Sequence, residues 1–159
     1  MELRITSLAR DDLPLYVQHF SRHRAESGRG DYHFMPFAPD DPSGPNGLDA
    51  QLLDMPLDTP GWQRWWIAWA PQGDRVVGHV DIKGDHLKTG LHRCELGIGI
   101  EREFRGGGLG RRLMQQAIDF VRAASGIDWL DLRVFAHNAN ARALYTNMGF
   151  VEVGVLTDR

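Results

Sequence analysis

Arg105-Gly106-Gly107-Gly108-Leu109-Gly110-Arg111-Arg112 is the stretch whose reading decides the fold. An alternating apolar run, Cys94 to Ile100, leads into it and an amphipathic run, Leu113 to Ala124, leads out, so the glycines fall where a strand turns into a helix. The first turn of a helix carries backbone N–H groups without intrahelical acceptors, and its dipole favours negative charge there. Glycines remove the Cβ atoms that would hold an anion off, and they tolerate the positive φ angles that turn successive N–H groups inward. Arg105, Arg111 and Arg112 add side-chain donors, so the stretch reads as an anion site. Spelling excludes two common anion loops. A nucleoside-triphosphate loop ends in Gly-Lys-Ser/Thr, which does not occur, and a dinucleotide turn would need glycine at Arg111 or at Leu113. A glycine-rich connection that binds nothing is the plain alternative.

A chain of 159 residues is the size of one domain and can bury a core without disulfide staples. Charged residues make up 25% and hydrophobic residues 42%, a balance that argues against wholesale disorder. The single cysteine, Cys94, excludes an intrachain disulfide and a cysteine-cluster metal site, and it fits a reducing, cytoplasmic setting. No apolar run is long enough for a membrane span, and Met1 to Thr6 lack a signal-peptide pattern. A net charge of −3 argues against general nucleic-acid affinity. The charge is unevenly placed. Residues 31–60 hold Asp31, Asp40, Asp41, Asp49, Asp54 and Asp58 with no Lys or Arg, which leaves the remainder of the chain positive. This Pro- and Gly-rich segment is either a solvated acidic loop or a substrate-side mouth that attracts a cation.

Working outward, Leu3 to Ser7 alternate as a first strand, and Asp11 or Asp12 can cap a helix with Pro14 in its first turn and Leu13, Val17 and Phe20 on one face. Gly30 to Gly47, with Tyr32, Phe34 and Phe37, reads as an ordered loop, and Leu48 to Met55 as a short helix. Trp66 to Ala70 and Arg75 to Ile82 form a hairpin about Pro71 to Asp74, and His92 to Glu101 extends it to a meander. The tryptophans at 62, 65, 66 and 69 read mainly as core packing. After the glycine turn come a helix from Leu109 to Ala124, a strand from Trp129 to Phe135, a helix from Asn138 to Met148 with Ala141, Leu144, Tyr145 and Met148 on one face, and a closing strand from Phe150 to Leu156. Strand, crossover helix and strand predict parallel pairing, with the glycine turn at the edge where ligands collect in α/β sheets.

Two motifs at this spacing resemble the GCN5-related N-acetyltransferase family. Arg105, Gly108 and Gly110 match its Gln/Arg-x-x-Gly-x-Gly/Ala; Asn138, Ala141, Leu144, Tyr145, Gly149 and Phe150 match Asn-x-x-Ala-x-x-Leu-Tyr followed by Gly-Phe. The resemblance runs from about Arg75 to Val153 and implies one acetyltransferase domain over 1–159. Its fold is α/β, a mixed, mostly antiparallel twisted sheet whose central parallel strand pair is splayed around acyl-coenzyme A, flanked by helices. It implies acetyl-coenzyme A as co-substrate, an amine as acceptor and a possible homodimer; the acidic segment points to a small cationic molecule as that amine, and no metal, membrane or nucleic-acid partner is expected from the cysteine count, hydropathy and charge. Acetylation of a protein N-terminus or lysine, or silent acyl-coenzyme A binding, are the alternatives.

By the same resemblance, Arg105, Gly106, Gly107, Gly108, Leu109, Gly110 and Arg111 hold the pyrophosphate, and the main chain of Ile98, Gly99 and Ile100 holds the pantetheine arm and acetyl carbonyl. A pantetheine arm carries amides and can pair with a strand edge, and a strand N–H suits a developing oxyanion. Gly97 and Gly99 point to a close approach of backbone or ligand. The acceptor must lose a proton before it attacks. Glu95, on the strand beside the cofactor, is the candidate base, or else a partner of Arg93 or Arg133, with His79, Asp81 and His137 as rivals. Some relatives place a Glu on the following strand where this chain has Arg133. The resemblance makes Tyr145 the acid for the departing thiolate, against a plain core tyrosine. Asn138 orients the cofactor or a water, caps the last helix, or does both. Cys94 reads as a small buried thiol.

Overall fold

The computed structural model describes residues 2–29, 34–35 and 49–157. Among these, five strands form one sheet in chain order: β1 (Ile5–Ser7), β2 (Gln63–Trp69), β3 (Val76–Gly84), β4 (Arg93–Ile100) and β5 (Trp129–Leu132). The first four pair antiparallel; β4 and β5 pair parallel, joined by the helix α2 (Leu109–Ala123), as the spacing of strand, helix and strand predicts. Helix α1 (Leu13–Glu26) lies between β1 and β2, and α3 (Ala139–Asn147) follows β5.

The sheet separates two cores. Leu113, Met114 and Ala117 of α2 are fully buried on one face against Trp66, Val80, Ile82, Cys94 and Leu96. Tyr16, Trp65, Ile67, Trp69 and Val76 fill the other, beneath α1. The tryptophans are core residues, as read: Trp62, Trp65, Trp66 and Trp69 are all buried, and the Trp69 indole N–H donates to Thr6 Oγ1 at 2.9 Å.

Three elements differ from expectation. Leu13 and Phe20 of α1 pack against the core beneath it as read, but its most buried residues are Tyr16, His19 and His23, so polar members of the helical period also point to the sheet, for a reason that lies in the site described below. The segment 48–55 is a 3₁₀ turn at Ala50–Asp54, capped by Asp49 Oδ1 accepting from the N–H of Gln51 at 2.9 Å. No closing strand forms: residues 150–157 are irregular, with Val151 81% and Val153 95% exposed. Alternating valines give a segment the capacity to be a strand, but a strand also needs an edge to pair with, and β5 ends at Leu132 instead of Phe135. The loop expected from Gly30 to Gly47 lies outside the described residues except for Phe34 and Met35, whose N–H groups donate to Ser27 Oγ at 3.0 and 3.2 Å. Asp31, Asp40, Asp41, Tyr32 and Phe37 lie outside them as well.

Candidate functional site

The parallel pairing of β4 with β5 runs only from Arg93↔Trp129 to Leu96↔Leu132. Beyond Leu96, β5 departs and β4 continues alone on that side. In an antiparallel ladder successive residues point their N–H and C=O groups alternately to the two neighbours. The Glu101 N–H donates to Val77 C=O at 3.0 Å, so the odd-numbered residues Gly97 and Gly99 bond β3, and the main-chain groups of Ile98 and Ile100 face the opened side. This divides the three residues expected to hold a ligand arm. Ile98 and Ile100 offer main-chain groups there, whereas Gly99 contributes the absence of a side chain. A Cβ at Gly99 would stand 2.7 Å from both the His23 and His79 rings.

The glycine turn lies just beyond this edge. Gly106 and Gly108 both have φ of +82°, the left-handed region that glycine adopts without strain. Cβ atoms built at Gly106, Gly107 and Gly108 would meet nothing within 4 Å, so the turn is an open cradle. The first intrahelical bond of α2 runs from the Arg112 N–H to Gly108 C=O, leaving the N–H groups of Leu109, Gly110 and Arg111 without helical acceptors. Gly110 has a different use. A Cβ there would lie 3.1 Å from Leu144 and 3.4 Å from Ile100, so its absence lets α3 close on α2 and β4.

The arginines separate. Arg105 is exposed but tied to the fold: its Nε donates to Ile100 C=O at 2.9 Å, its Nη2 lies 3.3 Å from Glu26, and its guanidinium stands 5.0 Å over the Phe34 ring. Arg112 donates to Leu3 C=O at 2.7 Å, which ties α2 to the N-terminal segment. Arg111 is exposed at the head of α2. Asn138 caps α3, its Oδ1 accepting from the Ala141 N–H at 3.2 Å. Tyr145, beside Leu144, packs against the same core that Ile98 and Ile100 pack against, with its ring edge-on to Phe150. Burial pushes its phenol up to about 12, so it keeps its proton near neutral pH. Cys94 is buried, its thiol pushed up to about 12 by burial and by Asp131, as an inert thiol should be.

The acid–base groups stand on the face of β3 and β4 that α1 covers. Glu95 faces Lys83 across the ladder, is half exposed, and has Arg133 at 3.7 Å. It therefore lies beside the closed part of the β4–β5 pairing, where Glu95 is opposite Asp131. Asp81 is two register pairs further on, paired with Gly97, and its Oδ1 would be 2.8 Å from a Cβ at that glycine. Its carboxyl thus stands on the β4 main chain next to Ile98. Burial pushes it up to about 7, with Lys83 opposing and Glu95 adding to the rise. Behind Asp81 runs a line of buried groups. His79 Nε2 is 3.6 Å from Asp81 Oδ1, His79 Nδ1 is 2.9 Å from His19 Nε2, and His19 Nδ1 is 3.0 Å from Glu101 Oε1. Arg22 Nε donates to the same Glu101 oxygen at 3.0 Å. His137, another rival for the base, stacks on Phe135 at 5.3 Å and is exposed.

Residues 31–150 match the model of the acetyltransferase (GNAT) family. The chain belongs to that family. A GNAT-family acetyltransferase structure from Streptococcus pneumoniae superposes with a TM-score of 0.79 at 25% identity, covering 96% of this chain and 86% of that one. The N-acetyltransferase YycN of Bacillus subtilis is 25% identical over all 159 residues, 99% of its own length. Mycothiol acetyltransferase of Beutenbergia cavernae is 45% identical over 58 residues, which are 36% of this chain and 19% of that protein.

Within this GNAT fold, the motifs located the glycine turn, the strand before it and the tyrosine helix. They did not locate the line from Glu101 through His19 to His79. Those residues are 101, 19 and 79 in the chain, and no spacing rule joins them. A signal was present in α1, where Tyr16, His19 and His23 recur at the spacing of a buried stripe. It was hidden because Leu13, Val17 and Phe20 offer a more apolar stripe on the same helix.

Proposed function

We propose that this chain transfers the acetyl group of acetyl-coenzyme A to a primary amine of a small cationic molecule, by direct attack within a ternary complex. One observation carries the reading: the side of β4 at Ile98 and Ile100 that β5 leaves, where Arg105 takes the Ile100 carbonyl, lies between an open glycine cradle at the head of α2 and the carboxyl of Asp81. The residues fit the co-substrate. The cradle from Gly106 to Arg111 supplies free N–H groups and space for a pyrophosphate, and the strand edge supplies N–H groups for amides and for a developing oxyanion. Acetyl-coenzyme A brings the activated thioester. The protein's own work is to hold it, to remove a proton from the amine and to return one to the departing sulfur. Tyr145, protonated at neutral pH, is the proton donor.

For the base we assign Asp81 in preference to Glu95. Asp81 lies beside Ile98 and has an affinity for protons matched to neutral pH, whereas Glu95 lies beside the closed sheet with an arginine at 3.7 Å. The Asp81 carboxyl, opposed on this face by Lys83, is the group that would meet a cationic acceptor, since Glu95 already has Arg133 at 3.7 Å. Thiol release from acetyl-coenzyme A across a panel of amines, amino acids and peptides tests the assignment. Asp81→Asn should lower turnover about 10²-fold and Glu95→Gln only a few-fold, the former being a typical contribution of a positioned base. The reverse order would return the base to Glu95. A chain that is thermally stabilised by acetyl-coenzyme A but releases no thiol with any amine would defeat the transfer reading.

A further inference from the structure

We propose that Glu101, His19 and His79 form a buried proton relay that serves Asp81 at the acceptor cleft, so that the base of the reaction is a chain of four residues from three parts of the sequence. The inference rests on the acetyl-transfer reading and adds positioning residues to it.

His19 is fully buried, and His79 and Glu101 are each 4% exposed. Three ionisable groups are an expensive way to pack a helix on a sheet, since apolar residues of similar volume hold such contacts at least as well. Their order is informative. Two ring nitrogens 2.9 Å apart share a single proton, so one donates and the other accepts. At the far end, Glu101 is held as a carboxylate: burial works to raise it, but the hydrogen bonds from His19 and Arg22 outweigh burial. A carboxylate only accepts, so His19 Nδ1 carries a proton. Burial first, then His19 and His23, pull the His79 imidazole well below its usual range, so it holds a single proton. With that proton on Nδ1, donated to His19, the lone pair of His79 Nε2 faces Asp81.

The groups around His79 are consistent with this. From α1 come His19, His23 and the edge of Tyr16, whose ring centroid is 5.4 Å away. On its own strand are Asp81 and Lys83; across the ladder on β4 is Gly99, with Glu95 beyond. Phe34 stacks on His23 at 4.8 Å and has Arg105 5.0 Å over its ring, and Glu26 Oε2 lies 3.8 Å from His23 Nδ1 and 3.3 Å from Arg105. Burial and Asp81 push the Tyr16 phenol upward, so it stays neutral.

The transfer balances as follows. An N–H bond of the acceptor ammonium breaks, its electron pair stays on nitrogen for the attack, and the proton forms an O–H bond on Asp81. As the Asp81 carboxyl rotates to close the 3.6 Å separation, that proton passes to His79 Nε2 and the Nδ1 proton of His79 moves in the same step to His19 Nε2, so His79 never carries two protons. His19 becomes an imidazolium against the Glu101 carboxylate, which keeps its charge as the buried acid of a hydrolase triad does. After product leaves, the reverse sequence returns the proton to solvent through Asp81.

The test combines nitrogen NMR of ring-labelled histidines with the pH dependence of turnover. In the resting protein at pH 7.5 to 8, His79, assigned by its loss in His79→Gln, should show a protonated Nδ1 and an unprotonated Nε2. The opposite tautomer overturns the relay whether or not the chain acetylates anything. Glu101→Gln keeps an acceptor oxygen for His19 and removes the charge. It should lose about 10²-fold in turnover at neutral pH, near the low end for proton-transfer catalysis, with the acetyl-coenzyme A thermal shift unchanged. The deficit should shrink as the pH approaches the amine's own pKa, because the acceptor then sheds its proton unaided. His19→Gln should show the same alkaline recovery and covers the case in which Glu101→Gln does not fold. A deficit equal at every pH, or no deficit, overturns the relay. A wild-type protein that binds acetyl-coenzyme A yet acetylates no amine defeats the transfer reading instead, and the resting tautomer still decides the relay.

Discussion

Gly99 and Gly107 lie eight positions apart and should respond in opposite ways to the same added methyl group. At Gly99 a Cβ would stand 2.7 Å from His23 Cδ2, His23 Nε2 and His79 Cε1, well inside van der Waals contact. Neither ring can swing away easily. Both are buried, His79 is bonded to His19, and His23 is stacked between His19 and Phe34. Overpacking of this kind costs about 1–3 kcal/mol, and each kcal/mol lowers Tm by roughly 2–4 °C in a domain of this size, so Gly99→Ala should melt about 2–12 °C lower. At Gly107 a Cβ would meet nothing within 4 Å and φ is not positive, so Gly107→Ala should melt within about 2 °C of wild type. The new methyl would instead stand in the cradle. Losing one hydrogen bond to a charged ligand costs about 1.5–3 kcal/mol, which is about 10- to 100-fold in Kd. Scanning fluorimetry without ligand gives the first comparison, and calorimetric titration with acetyl-coenzyme A gives the second. Gly107→Ala binding as tightly as wild type would refute the cradle as the pyrophosphate site, and an unchanged Tm for Gly99→Ala would refute the packing around the histidines.

Tyr145→Phe keeps the ring against Phe150 and the core and removes only the hydroxyl, so turnover should fall about 10²-fold with acetyl-coenzyme A binding retained; an unchanged rate would take Tyr145 out of the chemistry. Acid should unfold the protein through its buried histidines. Burial, aided by His19 and Arg105, pushes His23 down to about 3, so it stays neutral in the fold while the unfolded chain protonates near pH 6.5. Its contribution is therefore complete above about pH 6.5 and is lost on acidification toward pH 3, by up to about 1.4 kcal/mol per pH unit. His23→Phe should flatten part of this slope in Tm measured from pH 7 to 4, and an identical slope would show that His23 does not titrate in this way.

Much of the fold was legible because it is written in local patterns. The alternation from Cys94 to Ile100, the glycines after it and the amphipathic run to Ala124 together dictate strand, turn and helix, and α2 starts at Leu109 as that pattern requires. The position of Tyr145 on the last helix and of Asn138 at its N-terminus was legible for the same reason, since both stand in one short motif. The closing strand was misread because alternation reports what a segment could bury and says nothing of whether an edge receives it; Val151 and Val153 are exposed in consequence.

The sequence by itself determined the strand, glycine turn and helix start where β4 gives way to α2, because backbone geometry, helix dipole and glycine conformation are all properties of neighbouring residues. Only the tertiary structure decided how the acid–base groups stand to that site. That Asp81 stands beside the opened stretch of β4 and Glu95 beside the closed one depends on the β3–β4 register and on where β5 leaves β4, and both are matters of pairing between strands. Bringing His19 within 2.9 Å of His79 and 3.0 Å of Glu101 requires α1 to lie across two strands that follow it by some 60 and 80 positions. Proton affinity is set by burial and by neighbours within a few ångströms, and those neighbours come from distant parts of the chain that only folding brings together.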